Sequence, residues 1–174
     1  CAGLLAHRSG LPVQHFIAAC NANDVVSEYL ITGDYKTKKA KSTISNAMDV
    51  GNPSNFVRIL ELFHHEFGEL KNMLSSYSIT DDETRSAIKS VLEQNDYLLD
   101  PHGAVGYLAL QRYLKNNSGL KGIFLETAHP VKFYDVVEPV TGKPVPIPAS
   151  VEGIMNKKKK SFQIDAEYEE LRAF

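Results

Sequence analysis

Residues 13–24 read Val13-Gln14-His15-Phe16-Ile17-Ala18-Ala19-Cys20-Asn21-Ala22-Asn23-Asp24. Val13 to Ala19 is an apolar run of strand length, and the polar Asn21–Asp24 segment that bounds it is turn chemistry. On the amino-terminal side, Cys1 to Arg8 reads as a helix, with Gly10 and Pro12 as punctuation. On the other side, Asp24 or a neighbouring Asn is placed to cap a helix over Val25 to Ile31, which Gly33 ends. Helix, strand and helix in succession predict an α/β chain.

The same alternation continues. After a lysine-rich polar stretch, a short strand is predicted near Thr43 to Ser45. From Pro53 or Ser54 to about Met73, the spacing of Phe56, Ile59, Leu60, Phe63 and Phe67 predicts one helix with one buried face. Tyr77 and Ile79 suggest an extended segment, and Thr80-Asp81-Asp82-Glu83 is a capping-box pattern opening a helix with Ile88, Val91 and Leu92. Tyr97 to Leu99 reads as a short connector or strand. Asp100-Pro101-His102-Gly103 leads into a helix over Ala104 to Leu114, and Lys121 to Glu126 reads as a buried strand around Ile123, Phe124 and Leu125.

Strands alternating with helices imply a layered, mainly parallel sheet with helices on both faces. Ligands in such sheets collect beyond the carboxyl ends of strands. Asn21 and Thr127 each follow a predicted strand and stand where a ligand would be met. The expected division is 1–138 for the α/β domain and 139–174 for a tail, Pro- and Gly-rich to Met155 and ending in a helix from about Asp165 to Phe174.

Bulk properties exclude several classes. The 174 residues carry a formal charge of -2, the wrong sign for a protein that neutralises nucleic-acid phosphates. The lysines at 36, 38, 39, 41 and 157–160 read as solvated flanks. Two cysteines provide no disulfide framework, so a cytoplasmic setting is expected. No apolar stretch approaches the roughly 20 residues that cross a bilayer. The opening helix has no initiator Met and no capping residue ahead of it, so a piece of a longer chain is expected.

Tests for other chemistry fail. His64 and His65 with Glu66 and Glu69 lack the second His four residues on that a zinc-protease helix needs, so no metal is expected. No Walker loop or Gly-x-Ser-x-Gly elbow occurs. Asn116-Asn117-Ser118 matches a glycosylation acceptor without a secretory context. His102 beside Asp100 either carries a proton near neutral pH or packs at a helix start.

Four blocks then resemble motifs of the threonine synthase family, in order: Asn21–Val26, Ser45–Phe56, Asp100–Tyr107 and Leu125–Phe133, the last containing Glu126-Thr127-Ala128-His129-Pro130. The resemblance spans most of the chain and implies the fold type II pyridoxal-phosphate enzymes, with residues 1–138 as the carboxyl-terminal part of the cofactor domain. It implies pyridoxal 5'-phosphate as cofactor, with Thr127 at its pyridine nitrogen, where a neutral hydroxyl tempers the ring as an electron sink. Asn21, Asp49, Ser54, Asn55 and His102 lie in these blocks and are candidates for lining the cleft, although turn formation or capping accounts for the same residue types.

The implied reaction converts O-phospho-L-homoserine and water to L-threonine and phosphate. Its Schiff-base lysine and phosphate cradle would lie upstream of Cys1, so no catalytic residue is assigned here and the isolated chain is expected to be inactive. Self-association of the isolated chain is expected, without nucleic acid or membrane partners. The alternatives are an inactive threonine-synthase-like binding protein and another fold type II enzyme, such as an amino-acid dehydratase or sulfhydrylase.

Overall fold

A computed structural model describes residues 1–155 and 157–174. Its sheet is a parallel pair, β1 (Phe16–Cys20) and β2 (Leu74–Ser78), with Phe16 opposite Leu74 and Cys20 opposite Ser78. Adjacent parallel strands need a long crossover. Here it contains α2 (Val25–Thr32), α3 (Phe56–Leu62) and α4 (Phe67–Met73), of which α2 and α4 pack on β2. The opening helix is α1 (Ala2–Arg8). After β2 come α5 (Asp81–Asn95), α6 (Pro101–Asn116), α7 (Tyr134–Thr141), α8 (Ala149–Met155) and α9 (Tyr168–Ala173).

Local chemistry sets the helix ends. Gly33 ends α2 at φ 76°, a left-handed conformation that costs glycine nothing, and its N–H bonds to the Tyr29 carbonyl at 2.7 Å. The Thr80 hydroxyl accepts from the Glu83 N–H at 3.3 Å while the Glu83 carboxylate accepts from the Thr80 N–H at 2.9 Å, closing the capping box of α5. Asp100 caps α6, with Pro101 at the first helical position, where a missing N–H costs no bond. Arg112 of α6 donates to the Ser78 carbonyl at 2.9 Å and pairs with Glu83, pinning α6 to β2 and α5.

Two apolar clusters hold the fold. One joins Leu4, Tyr29, Leu30, Phe56, Phe63, Leu70 and Leu74, with Tyr29 edge-on to Phe56 at 5.2 Å and to Phe67 at 5.4 Å. The other joins Ile88 and Val91 of α5, Leu99, Ala104, Phe133, Val137 and Val145. Fully burying a side chain such as Phe56 or Ile88 contributes roughly 1.5–3 kcal/mol.

Several sequence expectations are corrected. The single helix over 53–73 is two, because Phe63 leaves the helix and His64 and His65 take φ 49° and 59°, turning the chain before α4. Thr43–Ser45 forms no strand; Asn46–Met48 is a 3-10 turn, and the Thr43 and Ser45 hydroxyls are drawn into a polar network. The run 121–126 joins no ladder, and Ile123 (89% exposed) and Leu125 (75%) are far from buried. β1 starts at Phe16 rather than Val13, and the last helix is limited to Tyr168–Ala173. Apart from these corrections, α7 runs across residues 138 and 139 and Val145 shares a cluster with Val137, and the division into 1–138 and 139–174 stands as a proposal.

Candidate active site

A cleft of about 350 Å³ opens beside β1. Its apolar walls include Phe16, Ala18 and Val105, and its polar groups include Asn21, Ser45, Asn55 and His102. A mostly apolar hollow with a few convergent polar groups is the usual form of a small-molecule site. A larger, more open hollow of about 550 Å³, beside Arg85, Lys89 and Asp135, holds none of the buried unpaired polar atoms found among the described residues. One such atom, His102 Nε2, belongs to a residue lining the first cleft, so that cleft is the better candidate.

Asn21 sits directly after β1 and is buried. Its Nδ2 donates to Thr43 Oγ1 at 3.0 Å, Ser45 Oγ at 3.0 Å and Asp49 Oδ1 at 3.2 Å, while its Oδ1 accepts from the Asn23 N–H at 2.8 Å. Asp49 also accepts from the Thr43 hydroxyl at 2.6 Å and the Thr43 N–H at 3.0 Å. Satisfied networks of this kind are rigid. This one fastens the 43–49 loop to the end of β1 and fixes one side of the cleft.

His102 stands on the first turn of α6. Both its N–H and its ring Nδ1 lie 2.8 Å from Asp100 Oδ1, and its ring lies 4.7 Å from that of Phe133. Asp100 is completely buried. Burial works to raise its carboxyl, but the hydrogen bonds from the His102 ring and backbone and the contact with Glu126 outweigh it and hold it below the usual value. Glu126 goes the other way: burial first, then the Asp100 charge, push it up to about 7.

The expected site residues divide. Asn21, Asn55 and His102 line one cleft. Asp49 stands behind Asn21 as its hydrogen-bond partner rather than in the lining. Ser54 is exposed and outside the lining. Thr127 is exposed, also outside the lining, and its hydroxyl makes no hydrogen bond among the described residues. The sequence reading missed Glu126, Thr43 and Ser45, and treated Asp100 as purely structural. An acidic residue closing the run Ile123-Phe124-Leu125, opposite a glycine-flanked helix start, was the available signal for Glu126.

Residues 103–174 match a family model described as threonine synthase, C-terminal. The threonine synthase of Haemophilus influenzae is 39% identical over 173 residues, covering 99% of this chain and 40% of that protein. The Escherichia coli threonine synthase is 40% identical over 171 residues, covering 98% and 39%. The crystal structure of the Escherichia coli enzyme superposes with a TM-score of 0.89 at 39% identity, over 99% of this chain and 39% of that one. A structure of pyridoxal-phosphate-bound threonine synthase from Brucella melitensis superposes at 0.76 and 31% identity, over 91% and 39%.

The class so defined is an α/β fold built on a parallel sheet, shared with solved threonine synthases, one of which is described as pyridoxal-phosphate-bound. Within that class, the family this chain matches in sequence and fold is the threonine synthases. The chain spans about two-fifths of the length of the curated relatives it matches.

Proposed function

We propose that this chain supplies one side of a threonine synthase active site, and so serves threonine biosynthesis by the conversion of O-phospho-L-homoserine and water to L-threonine and phosphate. The observation that carries the reading is convergence. Asn21, Asn55 and His102 come from three separate family-like blocks, and all three line one cleft. The fourth block reaches the third through Glu126, whose Oε1 accepts from the Asp100 N–H at 3.3 Å.

Pyridoxal phosphate is the cofactor proposed, and the residues fit a share of it. The Thr127 hydroxyl lies outside the cleft lining and makes no hydrogen bond among the described residues; the family resemblance assigns it to the pyridine nitrogen, while the apolar walls of the cleft suit a planar ring. The cofactor supplies electron withdrawal from the substrate's carbons when bound. This chain's own residues orient and enclose: the Asn21 network holds one wall, and Asn55 and His102 present polar groups to the substrate. No lysine lines the cleft among the described residues, and no residue of this chain is assigned the covalent anchor.

A cytoplasmic, small-molecule enzyme without nucleic-acid partners accords with the -2 charge and with helices none of which, among the described residues, is long and apolar enough to cross a membrane. Self-association of the chain in isolation is proposed from the exposed Ile123 and Leu125. The test is threonine and phosphate release from O-phospho-L-homoserine by the whole enzyme bearing this sequence, with pyridoxal phosphate present. Release supports the reading. A shifted cofactor absorbance with no release overturns it in favour of an inactive homologue or a different substrate.

A further inference from the structure

Three polar groups, Glu126, Asp100 and His102, form a line leading into the cleft. The Glu126 carboxyl occupies the place where a side chain on Gly103 would stand: a Cβ there would come far inside contact distance of Oε2. Glu126 Oε2 is buried and finds no donor. Asp100, beside it, accepts the Asp100–His102 bonds at 2.8 Å and a longer one of 3.4 Å from the Gly103 N–H. At the end of the line, His102 Nε2 is also buried and unpartnered.

Two adjacent carboxyls in a dry site do not both ionise, and the environment decides which one keeps the charge. Asp100 has the donors: two backbone N–H groups, an imidazole, and the positive end of a 16-residue helix. Glu126 has one weak contact, from the Asp100 N–H. The proton therefore belongs on Glu126, where it also resolves the orphaned oxygen by turning the carboxyl into a donor. In the neutral ring, an ionised Asp100 in turn draws the single proton to Nδ1, which leaves a lone pair at Nε2.

We propose that Glu126 is a positioning residue for His102: seated as a neutral carboxyl against Gly103, it donates to Asp100 and keeps Asp100 the anion that fixes the ring with Nε2 as a hydrogen-bond acceptor. The ligand group that His102 takes is then a donor, an amine or hydroxyl, and not a phosphate or carboxylate oxygen. That last step rests on the cleft taking an amino-acid substrate; the assignment of the protons does not. The other titratable groups near this corner are Lys132, whose Nζ lies 5.5 Å from the Phe133 ring centroid, and His129, whose Nδ1 accepts from the Val131 N–H at 3.1 Å. Neither is hydrogen-bonded to Glu126.

Nitrogen-15 NMR of the histidine rings in this chain tests the assignment without substrate or cofactor. Wherever the His102 ring is neutral, its single proton is expected on Nδ1, with Nε2 bare. Glu126→Gln, whose amide still donates to Asp100, should keep that form and flatten its change between pH 6 and 8. Glu126→Ala should give a mixture of ring forms. A neutral His102 ring in the wild-type chain whose single proton sits on Nε2 overturns the proposal, and this holds even if a variant fails to fold. Identical ring spectra for the wild type and Glu126→Ala across that pH range overturn it as well. Failure of threonine release in the whole enzyme would strike at the proposed function and leave this proton assignment standing.

Discussion

Asn21 and Asp49 are joined across 28 residues of sequence by a hydrogen bond of 3.2 Å from amide nitrogen to carboxylate oxygen. Asn21→Ala would remove the donor shared by Thr43, Ser45 and Asp49, at an expected cost of about 1–3 kcal/mol by urea unfolding. Asn21→Asp should cost more at pH 7, because it sets a second carboxylate against Asp49 where a donor stood. An Asn21→Ala variant as stable as the wild type would show that the network does not bear on the fold.

Glu126 makes stability depend on pH in a definite sense. Its folded-state value of about 7 lies above the ordinary 4.5, so the folded chain holds more protons than the unfolded chain between those values. This contribution is fully present below pH 4.5 and is lost as pH rises through 7. The difference in melting temperature between wild type and Glu126→Gln should therefore shift against the wild type from pH 5 to pH 8. A difference constant over that range would contradict the assignment.

His64 is a β-carbon residue held at φ 49°, where glycine is at ease. Its side chain is exposed and makes no hydrogen bond among the described residues. His64→Gly should raise stability by up to about 1 kcal/mol, read as a higher urea midpoint. A loss would mean that the ring contributes a contact outweighing its backbone strain.

Thr127→Val tests role against structure. The residue is exposed, so stability should change by no more than about 0.5 kcal/mol. Turnover of the whole enzyme should fall by at least about 10-fold. Unimpaired turnover would remove Thr127 from the site.

Signals carried by one or two residues were legible in the sequence. The Thr80–Glu83 box and the Gly33 stop of α2 each act within a single turn of backbone, and each appears where the pattern places it, whereas α6 starts at Pro101, three residues before the Ala104 expected. The break between α3 and α4 was not legible, because Phe56, Ile59, Leu60, Phe63 and Phe67 keep helical spacing while two histidines, and no Gly or Pro, make the turn. Residues 121–126 have the composition of a buried strand, but a strand also needs a neighbour to pair with, and composition does not say whether one stands alongside. Of the candidates in the family-like blocks, Asn21, Asn55 and His102 line the cleft, while Asp49, Ser54 and Thr127 do not. Glu126 escaped because its role depends on Asp100 and Gly103, more than twenty residues away, and on a proton that no one-letter code records.

The register of the β-sheet also governs how the chain folds. Ala18 and Ser76 are paired partners 58 residues apart, so every bond of the ladder closes a long loop. Such contacts form slowly, because loop entropy is lost before they repay it. The 15 residues of α5, started by their own capping box, depend on no such closure. Pulse-labelled hydrogen exchange should accordingly find α5 amides protected earlier than that of Ile79, which bonds back to the Cys20 carbonyl at 2.9 Å. The cleft beside β1 would then be among the last parts of the chain to take shape, and a slow-forming ladder leaves strand edges open to intermolecular pairing during refolding.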